Sequence, residues 1–366
     1  MDTGSATPCR DLYDSLLAAA GPLKELDLTL PECQVRLRVD TPAVYAELAD
    51  YFAEFISPKA SAATTPDLVI TALGETPPLP PSLTIKEDDK GRPPWEAWID
   101  LADGRIVRKI RTGVVMIMAA GVDVIAGPIA DHVDQVVNFV NHRLMQRWIT
   151  ADGVLAHAAG IARGDRGLIL CGSAGAGKST LALHMMAADP TLAFVSNDRV
   201  VLDRKTGDGS SGVRLLGIPK QPRVNPGTVL HNPSLASMID DDERRRYAAM
   251  PVSELRFLEE KRDAMIPALF GPGRFLLEAR ALALVILRWT PGGGPMRTQE
   301  VTLEGRPDLQ AILHKRLRLF FWPLLSPADG VGMAALATVL AGVPAYEVSG
   351  GIDFDAATAW ANNLLR

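Results

Sequence analysis

Several residue types are scarce in this 366-residue chain, and each scarcity excludes a class of protein. Its three cysteines, Cys9, Cys33 and Cys171, form neither a CxxC pair nor an even set, so no disulfide framework is indicated. Acidic residues outnumber basic ones by 43 to 38, and the net charge of -5 predicts no attraction to nucleic acid or to an anionic membrane. Together with a first segment unlike a signal peptide, this composition predicts a cytoplasmic protein.

Long apolar runs are scarce as well. The one run that raises a membrane question, Val114 to Ile129, is interrupted by Asp123 and is rich in β-branched residues. A β-hairpin that turns near Gly121 explains this run better than a spanning helix does. The sequence therefore predicts no membrane segment.

A glycine-rich segment stands out from this background. It matches G-x-x-x-x-G-K-[ST], the phosphate-binding P-loop, at every fixed position. Glycines let the backbone wrap a polyphosphate with its N–H groups pointing inward, while the lysine contacts the β/γ-phosphates and the next hydroxyl ligates Mg²⁺. The motif predicts binding of ATP and Mg²⁺ by Gly172, Ser173, Ala174, Gly175, Ala176, Gly177, Lys178, Ser179 and Thr180.

The flanking segments supply the context that this motif requires. Gly167 to Cys171 is an apolar run of strand length, and the segment after Thr180 lacks Gly and Pro until Pro190, as a helix would. A strand, a glycine loop and a helix together place a helix N-terminus under the phosphates. The alternative is a glycine-rich turn that binds nothing.

Two residues near the motif are candidates for metal binding and proton handling. Asp198 ends the apolar run from Ala193, where P-loop kinases place a carboxylate that holds Mg²⁺; an aspartate that only caps a turn is the alternative. His157 lies on the preceding apolar strand, Val154 to Ala159, whose end should converge on the phosphate site. A histidine that is simply part of the core remains the other interpretation.

Two loops rich in proline and glycine carry candidate substrate-binding cations. The segment Gly217 to Gly227 contains three prolines and should be a rigid loop that presents Lys220, Arg223 and Asn225 to a phosphate or carboxylate. Composition alone favours an ordinary surface loop equally. Arg274, between Gly271 and Phe275, is a weaker candidate of the same kind.

The pattern along the chain predicts two domains. Residues 1–150 contain short strands and two amphipathic helices and form an N-terminal α+β domain of unknown role, whereas residues 151–366 form an α/β catalytic domain. Later helices are predicted at Leu309 to Phe321 and Gly332 to Leu340. The first of these mixes Lys315 and other cations with apolar residues, which suits a solvated amphipathic helix or, alternatively, a docking face for an acidic partner.

With these residues in place, the chain resembles the HPr kinase/phosphorylase catalytic domain, whose P-loop core is shared with phosphoenolpyruvate carboxykinase. The resemblance is closest to the HprK-related kinases of proteobacteria, particularly the branch called HprK-related kinase B. It extends over nearly the whole chain and is carried by His157 to Gly160, Ser173 to Thr180, Ser196 to Arg199, Gly217 to Thr228, Gly271 to Phe275, Tyr346 to Gly351, Arg111 to Gly113 and Gln135 to Phe139.

The resemblance implies an α/β fold with a carboxykinase-like and HPr-kinase-like P-loop core beside a smaller N-terminal α+β domain. It also implies ATP-dependent phosphoryl transfer in which Ser179 and Asp198 hold the metal and His157 polarises the γ-phosphate or handles a proton. The chain departs from the bifunctional enzymes at Asn197, where they have a catalytic acid, and near Gly212, where their signature loop carries a glutamate. These departures argue against HPr as the acceptor.

The sequence thus predicts a kinase that transfers the γ-phosphoryl group of Mg·ATP to a hydroxyl of a protein serine or a small molecule, with Lys178, His157, Asp198 and Asn197 at the reacting centre. A catalytically silent ATP-binding regulatory module is the main alternative, and Asn197 favours it. A P-loop ATPase that couples hydrolysis to motion ranks below both. The acceptor is unknown, and a homo-oligomer is left open.

Overall fold

The computed structural model describes residues 7–57, 65–86, 93–204, 212–255, 258, 260–315, 317, 319–323 and 333–366. The protein is a mixed α/β structure with more than one sheet, and it divides into two compact units. The first consists of Met1–Arg147 with Arg316–Gly330, and the second of Trp148–Lys315 with Val331–Arg366. The sequence predicts a single boundary at residue 150. That boundary does not include the return of the chain to the first unit at Arg316–Gly330. Within the described ranges, no helix has the length and apolar content needed to cross a membrane.

The first unit is built on one sheet, which helices cover. Its strands and helices, in chain order, are α1 Cys9–Ala19, β1 Lys24–Leu30, β2 Cys33–Val39, α2 Pro42–Tyr51, β3 Leu68–Leu73, β4 Thr84–Lys86, β5 Glu96–Asp100, β6 Gly104–Lys109, β7 Val115–Ala119, β8 Val122–Ala126 and α3 Val133–Thr150. The strand order is β1-β2-β3-β8-β7-β6-β5-β4, with parallel pairing only of β3 to its two neighbours among these strands.

Local sequence explains most of these elements. The predicted hairpin is present as β7 and β8, which turn at Gly121 with a φ of +69° that favours glycine. Alternation of apolar and polar residues from Leu26 to Val39 predicts a pair of strands around Pro31, and they are present as β1 and β2 with one face in the core. Thr41 and Pro42 predict a helix start, and α2 begins at Pro42, although Thr41 makes no side-chain capping bond.

The second unit holds the P-loop segment. Its elements are β9 Val154–Ala156, β10 Ala158–Arg163, β11 Arg166–Gly172, α4 Lys178–Ala188, β12 Leu192–Ser196, β13 Val200–Asp203, β14 Arg214–Leu216, β15 Arg223–Val224, α5 Pro226–Leu230, α6 Asp241–Ala248, α7 Val252–Leu255, β16 Arg262–Asp263, α8 Ile266–Phe270, β17 Glu278–Leu287, β18 Arg297–Val301, α9 Pro307–Leu313, α10 Met333–Val339, β19 Ala345–Ser349 and α11 Phe354–Leu364.

The main sheet of this unit is curled. Its strand order is β12-β10-β11-β17-β14-β13-β9, with β19 and then β18 added beside β17. Strands β9 and β10 lie near opposite ends of this order, yet His157 alone joins them. Strands β12 and β13 are separated in the same way and are joined by Asn197, Asp198 and Arg199. Connections this short require the two ends of the sheet to meet.

Strand register brings these connections to the P-loop. Ala158 pairs with Cys171, so the start of β10 lies at the edge where β11 ends. Gly160 pairs with Ser196, which places the end of β12 at the same edge. Gly172 pairs in parallel with Leu287, so β17 also ends there. The polar residues that follow these strand ends are therefore gathered at one edge of the sheet.

Several predicted elements differ from the observed ones. The helix predicted from Leu309 to Phe321 is wrong in extent, because α9 ends at Leu313 and His314 turns to form a bridge with Ala156 of β9. The charged run that begins at Asp240 forms α6, which starts with a capping box between Asp240 and Glu243. The polar, glycine-rich run from Asp203 to Gly212 predicts a hairpin loop, of which residues 205–211 lie outside the described residues.

Candidate functional site

The P-loop segment lies between β11 and α4, as the motif requires. Gly177 is the N-cap of α4 with a φ of +88°, and a Cβ there would approach Phe354 to 3.2 Å. A Cβ on Gly172 would lie 2.9 Å from both Ala176 and the carbonyl of Leu287. The glycines are thus required by backbone conformation and by close packing. The N-terminus of α4 faces the loop and favours an anion there.

Lys178 is held against its own loop. Its ammonium donates hydrogen bonds to the carbonyl oxygens of Gly172 (2.9 Å) and Ser173 (3.3 Å), and the residue is only 7% exposed. Burial lowers the pKa of Lys178 below its usual value, because desolvation disfavours the charged form. A phosphate bound at the loop offsets this cost by supplying a negative charge.

Two aromatic residues, Trp289 and Phe354, stabilise the P-loop segment. The indole N–H of Trp289, two residues beyond the end of β17, donates a hydrogen bond of 2.8 Å to the carbonyl of Ala176. The Trp289 ring packs edge-on against Phe354, with ring centroids 5.1 Å apart. These contacts fix the orientation of one P-loop peptide, and so they help to direct the neighbouring N–H groups at a ligand.

The hydroxyl of Ser179 meets the amide predicted to lie at the reacting centre. Ser179 Oγ donates a hydrogen bond of 2.5 Å to Oδ1 of Asn197. At the next residue, the hydroxyls of Thr180 and Thr228 are 3.0 Å apart, which links α4 to α5. The structure therefore brings Ser179 and Asn197 together, as expected if both belong to one site.

Asp198 forms the electrostatic centre of the site. Both of its carboxylate oxygens accept hydrogen bonds from the ammonium of Lys315, at 3.0 and 2.9 Å. Nε2 of His157 lies 3.2 Å away, and Nε of Arg199 lies 3.8 Å away. The Asp198 backbone has a φ of +65°, which is uncommon for a residue other than glycine. Burial opposes ionisation, but the hydrogen bond from His157 and the charges of Lys315 and Arg199 hold the pKa of Asp198 well below its usual range.

The position of His157 determines what its ring can do. A hydrogen bond from Nε2–H to the carboxylate of Asp198 selects the tautomer in which Nδ1 carries the lone pair. The backbone N–H of His157 donates to the carbonyl of Leu313 at 2.7 Å, which fixes the residue at the junction of β9 and β10. His157 therefore lies between two strands and in contact with Asp198, rather than within the continuous strand predicted from the sequence.

The candidate substrate-binding residues of the proline-rich segment have different surroundings. Burial and the nearby charge of Arg199 lower the pKa of Lys220 to about 8, and Asp263 and Asp198 oppose this shift. Arg223 is exposed and contacts the carbonyl of Lys261 (3.3 Å) and Asp263 (3.5 Å). Lys220 therefore interacts with both Asp263 and Asp198, whereas Arg223 contacts residues of the β15–β16 pair and its approach.

Asn225 precedes α5 without capping it, and its buried Oδ1 has no hydrogen-bond partner among the described residues. Arg274 has a structural environment. Its guanidinium donates to four backbone carbonyls, those of Leu192 (2.5 Å), Asp189 (3.0 Å), Met186 (3.1 Å) and Phe270 (3.5 Å). These bonds tie the end of α4 to β12, which favours a role in holding the fold over contact with a substrate.

Two residues of the site were missed by sequence reasoning. Lys315 lies 117 positions after Asp198 and carries no local signal, because long-range contacts of Leu313 and His314 with His157 and Ala156 bring it to this edge. Trp289 does have a signal, since it follows a long apolar strand whose end can be expected at the phosphate site.

The oxygen atoms present fit a nucleotide-borne Mg²⁺. Mg²⁺ accepts a serine hydroxyl and one carboxylate when phosphates and water complete its shell. Ser179 supplies the hydroxyl, and Asp198 supplies a carboxylate that already holds a cation, the ammonium of Lys315. Among the residues that the structure describes, no group of three or more His, Cys, Asp or Glu side chains could hold a metal ion without such help.

No family model matches the chain, and the search of curated proteins finds no match. Among solved structures, the chain is similar to the Hpr(Ser) kinase/phosphatase from Coxiella burnetii at 11% sequence identity and a TM-score of 0.27, with 57% of this chain and 94% of that chain covered. Because a TM-score this low does not establish a shared fold, the function proposed below depends on this chain's own residues.

Proposed function

We propose that this protein is a kinase that transfers the γ-phosphoryl group of Mg·ATP to a hydroxyl acceptor. The cluster of cations around one carboxylate beside the P-loop carries the proposal. Of the described residues, four cationic groups interact electrostatically with Asp198, namely Lys178, Arg199, Lys220 and Lys315, and Asp263 is a further carboxylate near Lys220. A cluster of cations at a glycine-rich loop favours a polyanion, and the P-loop motif is typical of a bound triphosphate.

The residues divide the work of transfer among them. The loop amides and Lys178 hold the phosphates and stabilise the charge that develops on the γ-phosphoryl group. Ser179 and Asp198 hold Mg²⁺, which neutralises phosphate charge when bound. In the transfer, the bond from the γ-phosphorus to the bridging oxygen breaks and a bond to the acceptor oxygen forms. The acceptor proton passes to Nδ1 of His157, whose opposite nitrogen is fixed by Asp198.

The acceptor in this proposal is a protein serine or a small-molecule alcohol other than HPr. Asn197 has no proton to exchange at neutral pH, and its Oδ1 accepts the hydrogen bond of Ser179. An enzyme that uses a carboxylic acid at this position for both the forward and the reverse reaction therefore differs from this chain. Phosphoryl transfer does not require that acid, because a loose transition state needs little assistance from a base.

The test is transfer of labelled phosphate from ATP by purified protein, with cell extract and a metabolite pool as sources of acceptor. We expect a labelled product with wild type and Mg²⁺, and a loss of at least about 100-fold with Lys178→Met, because transition-state charge on the phosphoryl group loses its cation. Lys261→Met changes an exposed lysine away from the loop and serves as the matched control. Equal labelling by wild type and Lys178→Met would contradict the proposal.

A second candidate function is an ATP-binding regulatory module that does not transfer phosphate. The contact of Asn197 with Ser179 favours it, because an amide replaces a catalytic acid beside a metal-binding hydroxyl. This candidate predicts ATP binding that Lys178→Met abolishes, together with no labelled product and no phosphate release in any extract. The same experiment therefore separates the two functions.

A further inference from the structure

Lys315 occupies the carboxylate that the proposed function assigns to the metal. Its ammonium contacts both oxygens of Asp198, at 3.0 and 2.9 Å. Two-oxygen contact by a cation resembles the way in which a metal ion would use this carboxylate. A single carboxylate cannot serve Lys315 and Mg²⁺ equally, so arrival of Mg²⁺ with a nucleotide competes with this contact.

The backbone beside Lys315 is fixed, whereas its long side chain is flexible and reaches Asp198 at its tip. The carbonyl of Leu313 accepts a hydrogen bond of 2.7 Å from the backbone of His157, and His314 forms a bridge with Ala156. These contacts tie the segment to the edge of β9. The Lys315 side chain is 20% exposed and ends in a flexible four-carbon stem. A rearrangement on ligand binding can therefore involve the side chain alone.

Charge determines where the ammonium goes when Asp198 binds Mg²⁺. The metal and Lys178 both repel it, and the electrostatic effect of Lys315 on Lys178 shows that these two cations already interact. A triphosphate on the P-loop adds several negative oxygens to this cluster, and the terminal phosphate carries the largest share of the charge. Ammonium groups bind phosphate oxygens as strong, charge-assisted donors.

We propose that Lys315 is a phosphate-binding residue of this site, which rests on Asp198 without nucleotide and passes to the terminal phosphate of a bound nucleoside triphosphate. The inference depends on the proposed function for the triphosphate itself. It adds a residue that distinguishes ATP from ADP, because only ATP presents the third phosphate. Lys178 cannot supply the same discrimination, since a P-loop lysine reaches the β-phosphate as well.

The experiment measures equilibrium binding of ATP and of ADP, each with Mg²⁺, by titration calorimetry. The variants are Lys315→Met and Lys315→Gln, which remove the charge, Lys315→Arg, which keeps it, and Lys261→Met as the control on an exposed lysine. Losing a charge-assisted hydrogen bond weakens ATP binding by about tenfold. We expect that loss in the Met and Gln variants, partial recovery in the Arg variant and no weakening of ADP binding in any of them.

The Mg²⁺ dependence of ADP binding gives a second measurement. Here the loss of Lys315 should favour binding, whereas it should weaken the binding of ATP. Without the ammonium, Asp198 is available to the metal, so ADP should bind Lys315→Met at a lower Mg²⁺ concentration than it binds wild type. A lysine that only stabilises the fold would weaken both nucleotides and lower the thermal unfolding midpoint. The ratio of ATP to ADP affinity separates these cases, because it is measured on the folded fraction of each variant.

Two results overturn the inference. If Lys315→Met and Lys315→Gln keep the wild-type ratio of ATP to ADP affinity, Lys315 does not contact the terminal phosphate. If the Mg²⁺ requirement for ADP is unchanged in these variants, Lys315 does not compete for Asp198. Either result leaves the proposed function standing. Failure of the wild type to bind any nucleotide overturns the proposed function and this inference with it.

Discussion

The Asp123–Arg143 ion pair of the first unit and the Asp198–Lys315 pair of the second have similar chemistry and different surroundings. Asp123 and Arg143 are 2.6 Å apart, and their side chains are only 10% and 9% exposed. Arg143 also donates to the carbonyls of Phe320 (3.2 Å) and Trp322 (3.0 Å). Burial raises the pKa of Asp123 to about 6, and the charge of Arg143 opposes this shift. The arginine in this pair connects several parts of one core.

The pair in the second unit differs in each respect. Asp198 is 49% exposed, has a positive φ and interacts with several cationic groups. An uncommon backbone conformation and a cluster of cations are features that a ligand of opposite charge would stabilise. The difference suggests how an ion pair that supports a fold can be distinguished from one that we propose belongs to a binding site. The relevant features are the charge balance and the backbone, and the separation of the two atoms is a poor guide.

Asp198→Asn tests whether the carboxylate of the Asp198–Lys315 pair is required for activity. Asparagine tolerates positive φ, so the backbone at this position is preserved while the carboxylate charge is lost. We expect Mg·ATP-dependent transfer to fall by about 100-fold or more, because metal and phosphoryl charge lose their anchor. The measurement is the initial rate of phosphate transfer or release at saturating ATP.

The matched control for this variant is Asp355→Asn. Asp355 also pairs with a histidine, His184, at 2.7 Å, but its side chain is 93% exposed. We expect no change in rate from it. A comparable loss of activity in both variants would show that the charge imbalance at Asp198 has no special role.

Asp123→Asn tests whether the Asp123–Arg143 pair contributes to stability and not to nucleotide binding. It leaves the guanidinium of Arg143 buried and without its carboxylate, which costs about 3 kcal/mol of unfolding free energy. Urea denaturation measures this loss, and the nucleotide affinity of the folded protein should be unchanged. Glu25→Gln, which removes an exposed partner of Arg38, serves as the control and should cost less than about 0.5 kcal/mol. A loss as small as the control's would mean that water reaches the Asp123–Arg143 pair.

Local signals account for the parts of the molecule that the sequence predicted. Alternation of apolar and polar residues identified β1 and β2, and the uninterrupted apolar run before Gly172 identified β11. The helix predicted to continue to Phe321 ends at Leu313 instead, because pairing of His314 with Ala156 overrides the helical spacing of the apolar residues. Periodicity describes one segment at a time and carries no information about a partner strand far along the chain.

The candidate site also combines residues that local sequence signals predicted with residues that only long-range contacts place. The motif located Lys178 and Ser179, and the strand end located Asp198, since each signal is contained within a few residues. The contact of Lys315 with Asp198 depends on the curled sheet and on where α9 ends, and no short pattern encodes either. The surroundings of Arg274 could not be predicted for a related reason: a loop rich in glycine can expose an arginine or turn it toward backbone carbonyls, and here it does the latter.

The pH dependence of ATP binding should sharpen the contrast in charge balance. The pKa of Lys220 is lowered to about 8, so this lysine is charged below pH 8 and loses its proton as the pH rises through that value. We expect wild-type affinity for ATP to fall about fivefold between pH 7 and pH 9, since one cation near the phosphates is neutralised. Titration calorimetry across this range measures the effect.

Lys220→Arg provides the control, because a guanidinium stays charged throughout the range. The variant should lose most of the pH dependence, and any that remains is assigned to Lys178, whose pKa burial also lowers. Unchanged pH dependence in Lys220→Arg would remove Lys220 from the group of cations that contact the ligand.

The smallest expected effect concerns the support of the loop. Both units use a buried donor to hold backbone carbonyls, Arg143 in the first and Trp289 in the second, but Trp289 supports the segment that we propose binds the nucleotide. Trp289→Phe keeps an aromatic ring against Phe354 and removes the hydrogen bond to Ala176. A neutral hydrogen bond contributes about 1 kcal/mol, part of which loop relaxation recovers, so ATP affinity should fall about threefold. Trp360→Phe, which keeps an aromatic ring against Tyr346, is the matched control and should leave ATP affinity unchanged. If Trp289→Phe binds ATP as tightly as wild type, the loop peptide at Ala176 is held by the backbone of the glycine turn alone.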